Sequence, residues 1–559
     1  MVLADYLQAR EQQQKTGADN HAKLTERQGR ALSLTDSPLS RYGPLVHSLN
    51  EPSAMLGMFT MASAKMQLKS MHLAPLDLFR HFLSHCTNVK KLSLSDRDVM
   101  DDSVWESVTE FLMPHLQELH ICTSNMTASE YRFILSQCPA TLETLYFDLW
   151  FSDDEDGLEV EVDGGVPLTR LKKLTISLCE SEEYPTLSAF LPRCAQVESL
   201  VLLANHRSPP ILQFSDAIRN HMPNINSISI TYALRKCKLV DKDCASLLSA
   251  CPMGLHTVDL GDAVQFGKLS CDALLRHATT LEKFSAVTWT SSSSSDLKRI
   301  ITSCPKLHTL KTIFNHSSAN MRAIPFIDAE DFIDWDKDSK ILTPWPCEST
   351  LKVLKIKVSS IPRPDAIRDV YRMMLWRPIK KAHPADGGLT QHRVYERLSR
   401  FTNLRELWLG HIAHKCHNNV FKPLGSDNEG WVSGFFTFKP LGSDEESCYS
   451  DVDTGEDTDE EKACSNKYPE DHQDDCLEMS LESGLGQLGT LKDLRVLNTN
   501  WMMTNIGPSE VQWMAEHWPK LRTFDGLHKD NDEQVEASKW IEENCPRIHV
   551  GMEFMNRRF

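Results

Sequence analysis

The residues best suited to chemistry stand close together in the second half of the chain. His411, His414, Cys416 and His417 supply imidazole and thiol groups, which are the side chains that zinc prefers. A zinc site needs about four such ligands in a tetrahedral arrangement. Further cysteines that could complete one are Cys448, Cys464 and Cys476. The spacings match no compact zinc finger, so a solvated loop competes with the metal site, and a metal-dependent enzyme using His411–His417 is the alternative functional hypothesis.

A glycine motif follows later in the chain. Gly484-Leu-Gly486-Gln-Leu-Gly489 matches G-x-G-x-x-G, but a dinucleotide site needs a strand before this motif and a helix after it. Here an acidic stretch precedes the motif and a strand pattern follows, which predicts a turn. The chain has no G-x-S-x-G elbow, no phosphate-binding P-loop and no H-E-x-x-H motif. We therefore predict no catalytic residue and no cofactor.

The net charge of −17 is concentrated in one stretch. Residues 427–478 contain 17 Asp or Glu and only 3 Lys. Four hydroxyl residues in it have an acidic residue three positions later, the pattern of an acidophilic kinase site: Ser443, Ser450, Thr454 and Thr458. Acidic runs also produce this pattern by chance. No basic cluster indicates binding to nucleic acid or to an anionic membrane.

A repeated phrase, L-x-x-L-x-L, predicts the fold that positions these residues. Most of its copies are 26 to 30 residues apart, and this period is typical of leucine-rich repeats. A segment with helical spacing precedes most copies, so we predict an α/β solenoid, or horseshoe, with parallel inner strands and outer helices. The copies begin at Val89, Leu116, Leu142, Leu171, Val197, Ile225, Leu255, Leu281, Leu307, Leu351, Leu404, Leu494, Leu521 and Ile548.

Longer intervals between some copies of the phrase suggest the domain organisation. We expect a disordered tail over 1–40, a repeat array over 41–415, a disordered acidic insert over 416–482, and terminal repeats over 483–559 that close the same array. The strand phrases at Leu404 and Leu494 should then stack as neighbours although the insert separates them.

The cysteines point to a reducing environment. The first residues have no apolar core of a signal peptide, and no run of about 18 apolar residues occurs, so we expect an intracellular protein, cytoplasmic or nuclear. Six cysteines lie three or four residues before a strand phrase, in one equivalent slot per repeat, which predicts small buried core residues: Cys86, Cys138, Cys194, Cys251, Cys304 and Cys545.

The strand pattern also predicts a binding surface. Side chains alternate across a strand, so the residues between the apolar positions should line the concave face. We propose as partner-binding candidates His120, Tyr146, Asp148, Asp259, Lys311, Lys355, Lys357 and Trp408. In this register Tyr146 and Trp408 are exposed aromatic residues, which often anchor interfaces. A face that is merely solvated is the competing interpretation.

The amino-acid sequence of the repeats resembles that of a known protein family. Cys304-Pro-Lys-Leu307-His-Thr-Leu310 resembles the repeats of fungal F-box/leucine-rich-repeat proteins of the ribonuclease-inhibitor-like superfamily, although no F-box is recognisable here. Stretches 41–49, 486–497 and 511–519 are also similar to that family. The resemblance implies a protein-interaction scaffold that selects substrates for an SCF-type cullin ubiquitin ligase, with a Skp1-like adaptor and a ubiquitination substrate as partners.

Overall fold

The structure of the chain is a computed structural model. The described residues are 46–50, 80, 82–95, 102–123, 134–149, 166–177, 190–204, 211–231, 239–290, 293–312, 326–336, 341–361, 384–409, 477–500, 503–504, 506–527 and 531–552.

One parallel sheet of fifteen strands runs through the described residues. Its order follows the chain, and each strand pairs in parallel with the one before it. The strands are β1 (Ser48–Asn50), β2 (Lys91–Ser95), β3 (Glu118–Thr123), β4 (Thr144–Leu149), β5 (Lys173–Ser177), β6 (Ser199–Leu203), β7 (Ser227–Thr231), β8 (Thr257–Phe266), β9 (Lys283–Trp289), β10 (Thr309–Lys311), β12 (Val353–Lys355), β14 (Glu406–Trp408), β16 (Val496–Asn498), β18 (Thr523–Leu527) and β19 (His549–Met552).

Two small parallel sheets lie beside it. They pair β11 (Phe326–Asp328) with β13 (Lys357–Ser359), and β15 (Glu478–Met479) with β17 (Met503–Thr504). The described helices are α1 (Asp102–Phe111), α2 (Ile211–His221), α3 (Asp241–Ala250), α4 (Lys268–Leu275), α5 (Ser293–Ser303), α6 (Ala329–Ile333), α7 (Pro384–Ser399), α8 (Pro508–His517) and α9 (Asp532–Asn544). Short 3₁₀ helices lie at Leu191–Cys194 and Leu485–Thr490.

The leucine phrases form the core, as predicted. In the repeat at Leu307, the side chains of Leu307 and Leu310 are fully buried, and Leu310 pairs in register with Phe284 and Leu354. The same positions are buried from β2 to β18, so one continuous core lies between the sheet and the helices. This arrangement is a leucine-rich-repeat solenoid of the α/β class.

The long excursions do not interrupt the sheet. Strand β14 pairs directly with β16, with Leu407 opposite Leu497, although residues 409–495 separate them in sequence. This confirms that the two flanking strand phrases stack as neighbours. The last residues of the predicted insert, 477–482, belong to the array, because Leu477 and Met479 are buried and the Tyr395 hydroxyl donates to the carbonyl of Glu478 at 2.5 Å. The proposed division into a tail, an array and an insert otherwise stays a prediction.

The repeated cysteines occupy the slot expected of them. Cys86, Cys138, Cys194, Cys251 and Cys304 are buried and free, and Cys545 is half-buried. The thiols of Cys138 and Cys251 lie 3.5 and 3.4 Å from the carbonyl oxygen four residues earlier, so each can donate to it. Burial raises the pKa of Cys304 to about 12, which keeps its thiol protonated.

A second repeated contact joins successive repeats. Thr141, Thr280 and Thr350 each directly precede the first apolar residue of their phrase. Their hydroxyls donate to the carbonyls of Leu116, Leu255 and Leu307, the equivalent apolar residues one repeat earlier, each at 2.9 Å. These hydrogen bonds help to fix the stacking distance at the edge of the sheet.

No helix among the described residues is long and apolar enough to cross a bilayer.

Candidate functional site

The candidate site is the face of the fifteen-stranded sheet that lies away from the core, which we call the concave face. In the fifteen-stranded sheet, the second residue of each strand from β2 to β18 is buried, whereas the first and third point to the other side. Because the strands are parallel and in register, the third residues form a single row across the sheet. The concave face is therefore a ladder of equivalent positions, one per repeat.

Six of the eight predicted partner-binding residues lie in that row. They occupy the third position of β3, β4, β8, β10, β12 and β14: His120, Tyr146, Asp259, Lys311, Lys355 and Trp408. The backbone of Asp148 lies in β4, two residues after Tyr146, and its side chain is outside the described part of the chain. The placement of Lys357 was wrong. It lies in β13, which pairs with β11 and not with the large sheet, because the main strand of that repeat ends at Lys355.

One end of the row carries a stacked pair of rings. The imidazole of His120 lies against the Tyr146 ring, with centroids 5.5 Å apart and planes 17° apart. In the same strand, Glu118 forms an ion pair with Lys91 at 3.2 Å and lies 3.8 Å from Nε2 of His120. Burial, and then the neighbouring positive charges of Lys91 and Lys173, lower the pKa of His120 despite Glu118. The pair therefore presents a neutral, flat aromatic surface at neutral pH.

The other end of the row is cationic, and its aromatic residue is covered. The Lys355 ammonium lies 3.5 Å from the centroid of the Trp408 ring and 2.7 Å from the carboxylate of Glu406. Trp408 is only 9% exposed, so the expectation of an exposed aromatic residue was wrong there. Lys355, in the neighbouring strand β12, covers the ring through a cation–π contact. The alternation of side chains along one strand does not predict such a contact between strands. Burial is the main cause of the lowered pKa of Lys355, and Lys311 adds to it.

The middle of the concave face is built from small side chains, most of which carry a hydroxyl group. Between Tyr146 and Lys311, the third position carries Thr175, Val201, Ser229, Asp259 and Ser285. The first positions of β6, β7 and β8 are Ser199, Ser227 and Thr257. Six intervals of ~4.8 Å between neighbouring strands, from β4 to β10, place the two bulky ends about 29 Å apart. This gives a low-relief polar strip of a length that suits an elongated protein segment.

The row continues beyond the predicted residues. Asn498 of β16 donates to the carboxylate of Asp525 of β18 at 3.4 Å, and burial raises the pKa of Asp525. The last strand has Gly551 in register with Asp525, and a Cβ atom there would collide with that carboxylate. Sequence reasoning missed Asp525, although its place in the phrase that begins at Leu521 matches that of Lys311 in its own phrase.

The predicted metal ligands and phosphorylation sites lie outside the described residues. These are His411, His414, Cys416, His417, Cys448, Cys464 and Cys476, with Ser443, Ser450, Thr454 and Thr458. Within the described ranges, no group of three or more His, Cys, Asp or Glu side chains is arranged to hold a metal ion. The zinc hypothesis stays a prediction, which metal analysis of the purified protein by mass spectrometry would decide.

Comparison with known proteins gives two solved structures with a distant likeness. An internalin from Listeria monocytogenes strain 4b F2365 has 11% identity and a TM-score of 0.30, over 85% of this chain and 83% of the internalin. The complex of Rad7 and Elc1 in yeast has 12% identity and a TM-score of 0.34, over 92% of both chains. No protein-family model and no curated protein matches the chain. TM-scores and sequence identities this low carry no information about function.

Proposed function

We propose that the chain is a non-enzymatic scaffold that binds a protein partner on its concave face. The observation that carries the proposal is the row of third-position residues, which has a ring pair at one end, a cationic end at the other and a polar strip between them. Stacked repeats build extended surfaces of this kind, and protein interfaces use aromatic and charged anchors around a larger complementary area.

The resemblance of the repeat phrases to F-box/leucine-rich-repeat proteins supports a narrower version. In that version the scaffold selects substrates for a cullin-type ubiquitin ligase and docks through a Skp1-like adaptor. The two versions predict different partners: the narrower one requires a Skp1-like protein and a cullin among the proteins that co-purify with the chain.

The test is a blocking variant of the polar strip. Ser227→Arg combined with Thr257→Arg places two long side chains at half-buried first positions of β7 and β8, where they obstruct the strip without entering the core. The matched control is Leu212→Arg with Leu269→Arg, since these leucines on helices α2 and α4 are 65% and 53% exposed. Both double variants add the same charge.

Quantitative affinity purification of the wild type and both variants gives the readout. We expect a partner that the wild type and the control retain and that the strip variant loses at least about tenfold, as steric exclusion from an interface centre implies. If every co-purifying protein is retained equally by all three forms, the concave face is not the binding surface. A Skp1-like protein and a cullin that are retained by the strip variant, together with a lost third protein, would support the ligase version.

A further inference from the structure

A second row of side chains borders the concave face. It consists of the residue that follows the first apolar residue of each phrase, and we call it the edge row. The backbone N–H of each member donates to the carbonyl oxygen of the member one repeat earlier, at 2.7 to 2.9 Å. The row is therefore unbroken across the described repeats: Lys90, Gln117, Glu143, Lys172, Glu198, Asn226, His256, Glu282, His308, Lys352, Arg405, Arg495, Arg522 and His549.

Four successive members near the end of the edge row, Lys352 to Arg522, are all basic, and we call them the basic edge. Lys352, Arg405, Arg495 and Arg522 are exposed, and none of them forms an ion pair with another described residue. The nine earlier members follow a different rule, because no two neighbours among them carry charges of the same sign. Glu282, for example, lies between His256 and His308, whose ring nitrogens are 3.1 and 3.3 Å from its carboxylate oxygens.

Four like charges on adjacent rungs are unfavourable. Rungs of a sheet are ~4.8 Å apart, and like charges placed directly opposite each other destabilise a strand pair. Among the described residues, Asp493 is a carboxylate on which Arg405 and Arg495 act, and it is already paired with Lys520. The pKa of Asp493 is lowered by Lys520 first, and Arg405 and Arg495 lower it further, so the positive field of both arginines reaches it.

We propose that Lys352, Arg405, Arg495 and Arg522 bind an acidic segment of a partner protein in an extended conformation. The three intervals between these rungs span about 14 Å, and about five residues of extended chain cover the same length. Carboxylates on alternate residues of such a segment lie on one side, within reach of successive guanidinium groups. Arginine suits this role because its planar fork binds a carboxylate through two hydrogen bonds.

A polypeptide fits this edge better than a nucleic acid does. Single-stranded nucleic acids are usually held by aromatic side chains that stack on the bases, and the edge row contains no Phe, Tyr or Trp. The basic edge is also separate from the polar strip of the concave face, so either surface can bind when the other does not.

The test compares two triple variants of the full-length protein. Arg405→Gln with Arg495→Gln and Arg522→Gln removes three charges of the basic edge. Lys242→Gln with Lys268→Gln and Lys539→Gln removes three exposed charges from helices α3, α4 and α9 and is the control. Fluorescence anisotropy measures binding of a labelled peptide of alternating glutamate and glycine at about 50 mM salt, where surface charges are weakly screened. The same peptide with glutamine in place of glutamate and an oligodeoxythymidylate of similar length are the comparison probes.

We expect the wild type and the control to bind the acidic peptide, and the basic-edge variant to bind about tenfold more weakly, since exposed ion pairs contribute modestly and add up. Binding should fall as salt rises, and the Ser227→Arg/Thr257→Arg variant should bind the peptide as the wild type does. The melting temperature of the basic-edge variant should be equal to that of the wild type or higher, because like-charge repulsion is removed. Absence of peptide binding by the wild type, an equal loss in both triple variants, or tighter binding of the oligonucleotide would overturn the proposal.

Discussion

At the scale of single residues, His277 shows how the fold depends on one protonation state. The ring is 1% exposed, and its Nδ1 lies 3.3 and 3.4 Å from the backbone nitrogens of Gly254 and Leu255, whose N–H groups donate to it. Its Nε2 lies 3.3 Å from the carbonyl oxygen of Leu248 and donates to it. This pattern needs the neutral tautomer with the proton on Nε2, because a proton on Nδ1 would face two donors.

The pH dependence of stability follows from this geometry. Burial lowers the pKa of His277 below its ordinary value of 6.5, so between the two values the unfolded chain binds more protons than the folded one. The stabilisation is present above about pH 6.5 and is lost as pH falls through the folded pKa. His120 should add to the effect in the same direction. We expect a lower melting temperature at pH 5.5 than at pH 7.5.

His277→Gln isolates this contribution. The variant should lose about 1–3 kcal/mol at pH 7.5, because buried backbone groups lose a partner, and it should respond less to acid than the wild type does. His221→Gln at the end of helix α2 is the control. Melting curves of the three proteins at both pH values measure the effect, and an unchanged acid response of His277→Gln would show that another group titrates.

The sequence predicts residues well where one residue type recurs in one slot. The buried position of the cysteines was predictable because a small apolar residue that recurs at the same place before each strand is expected to lie in the core. Trp408 was misplaced because its exposure depends on Lys355 of another strand. Arg193 was not identifiable as a buried residue. It donates to the carbonyls of Val166, Leu135 and Cys138, but an arginine near the end of a helical segment normally lies in solvent.

At the scale of elements, Arg397 connects helix α7 to the two preceding segments. The side chain is fully buried, its Nη1 lies 2.6 Å from the Glu348 carboxylate, and its Nη2 donates to the carbonyl of Ile333 at 2.6 Å. The guanidinium also lies over the Trp345 ring, 4.3 Å from its centroid. More than 20 residues separate β13 from α7 in sequence, so this contact fixes the position of α7 against the preceding repeat.

Removing this arginine should be costly. Arg397→Met leaves the carboxylate of Glu348, which is 18% exposed, without its close partner, and loss of one member of a buried pair costs about 3–5 kcal/mol. Arg400→Met is the matched control, because Arg400 is 29% exposed and lies 3.9 Å from the same carboxylate, so its loss should cost under about 1 kcal/mol. Urea denaturation measures both variants. Equal midpoints would mean that Arg397 does not hold the helix.

Strands that carry an L-x-x-L-x-L phrase were predictable, even three-residue strands such as β10, and the strands of the two small sheets were not. Six-residue strands such as β3 have enough alternation to be recognised, whereas the pairs β11–β13 and β15–β17 have two or three residues each and give no periodic signal. The pairing register of the last strand, β19, also differs by one residue from the register that its phrase predicts. The phrase at Ile548 aligns Thr523 with Val550, but the structure pairs Thr523 with His549, and an irregularity follows Asp525.

At the scale of the whole molecule, the order of the rungs does not depend on how much chain lies between them. Strands β14 and β16 pair as neighbours, and helix α7 packs against the 3₁₀ turn at Leu485–Thr490 across the same junction. We expect limited proteolysis to cut first within residues 416–476 of the predicted disordered insert, where the sequence is acidic and contains the string Phe-Lys-Pro-Leu-Gly-Ser-Asp twice, at 421–427 and 438–444.

The two fragments should stay together after this cut. The β14–β16 pairing and the buried side chains of Leu407, Leu497 and Tyr395 lie on both sides of the junction and do not need the connecting chain. Size-exclusion chromatography of the digest should therefore give one peak that contains both fragments. Separation of the fragments under native conditions, or first cuts elsewhere in the array, would contradict a single continuous solenoid.

This independence of the rungs from the connecting chain has an evolutionary consequence. The entropy of closing a loop grows only with the logarithm of its length, so lengthening the 26-residue interval of an ordinary repeat to the 90 residues between Leu404 and Leu494 costs about 1 kcal/mol. Substitutions and duplications within that connection can accumulate while selection maintains the rungs on either side. Homologues should therefore vary most in length and sequence between β14 and β16, and least in the residues that pair across that junction.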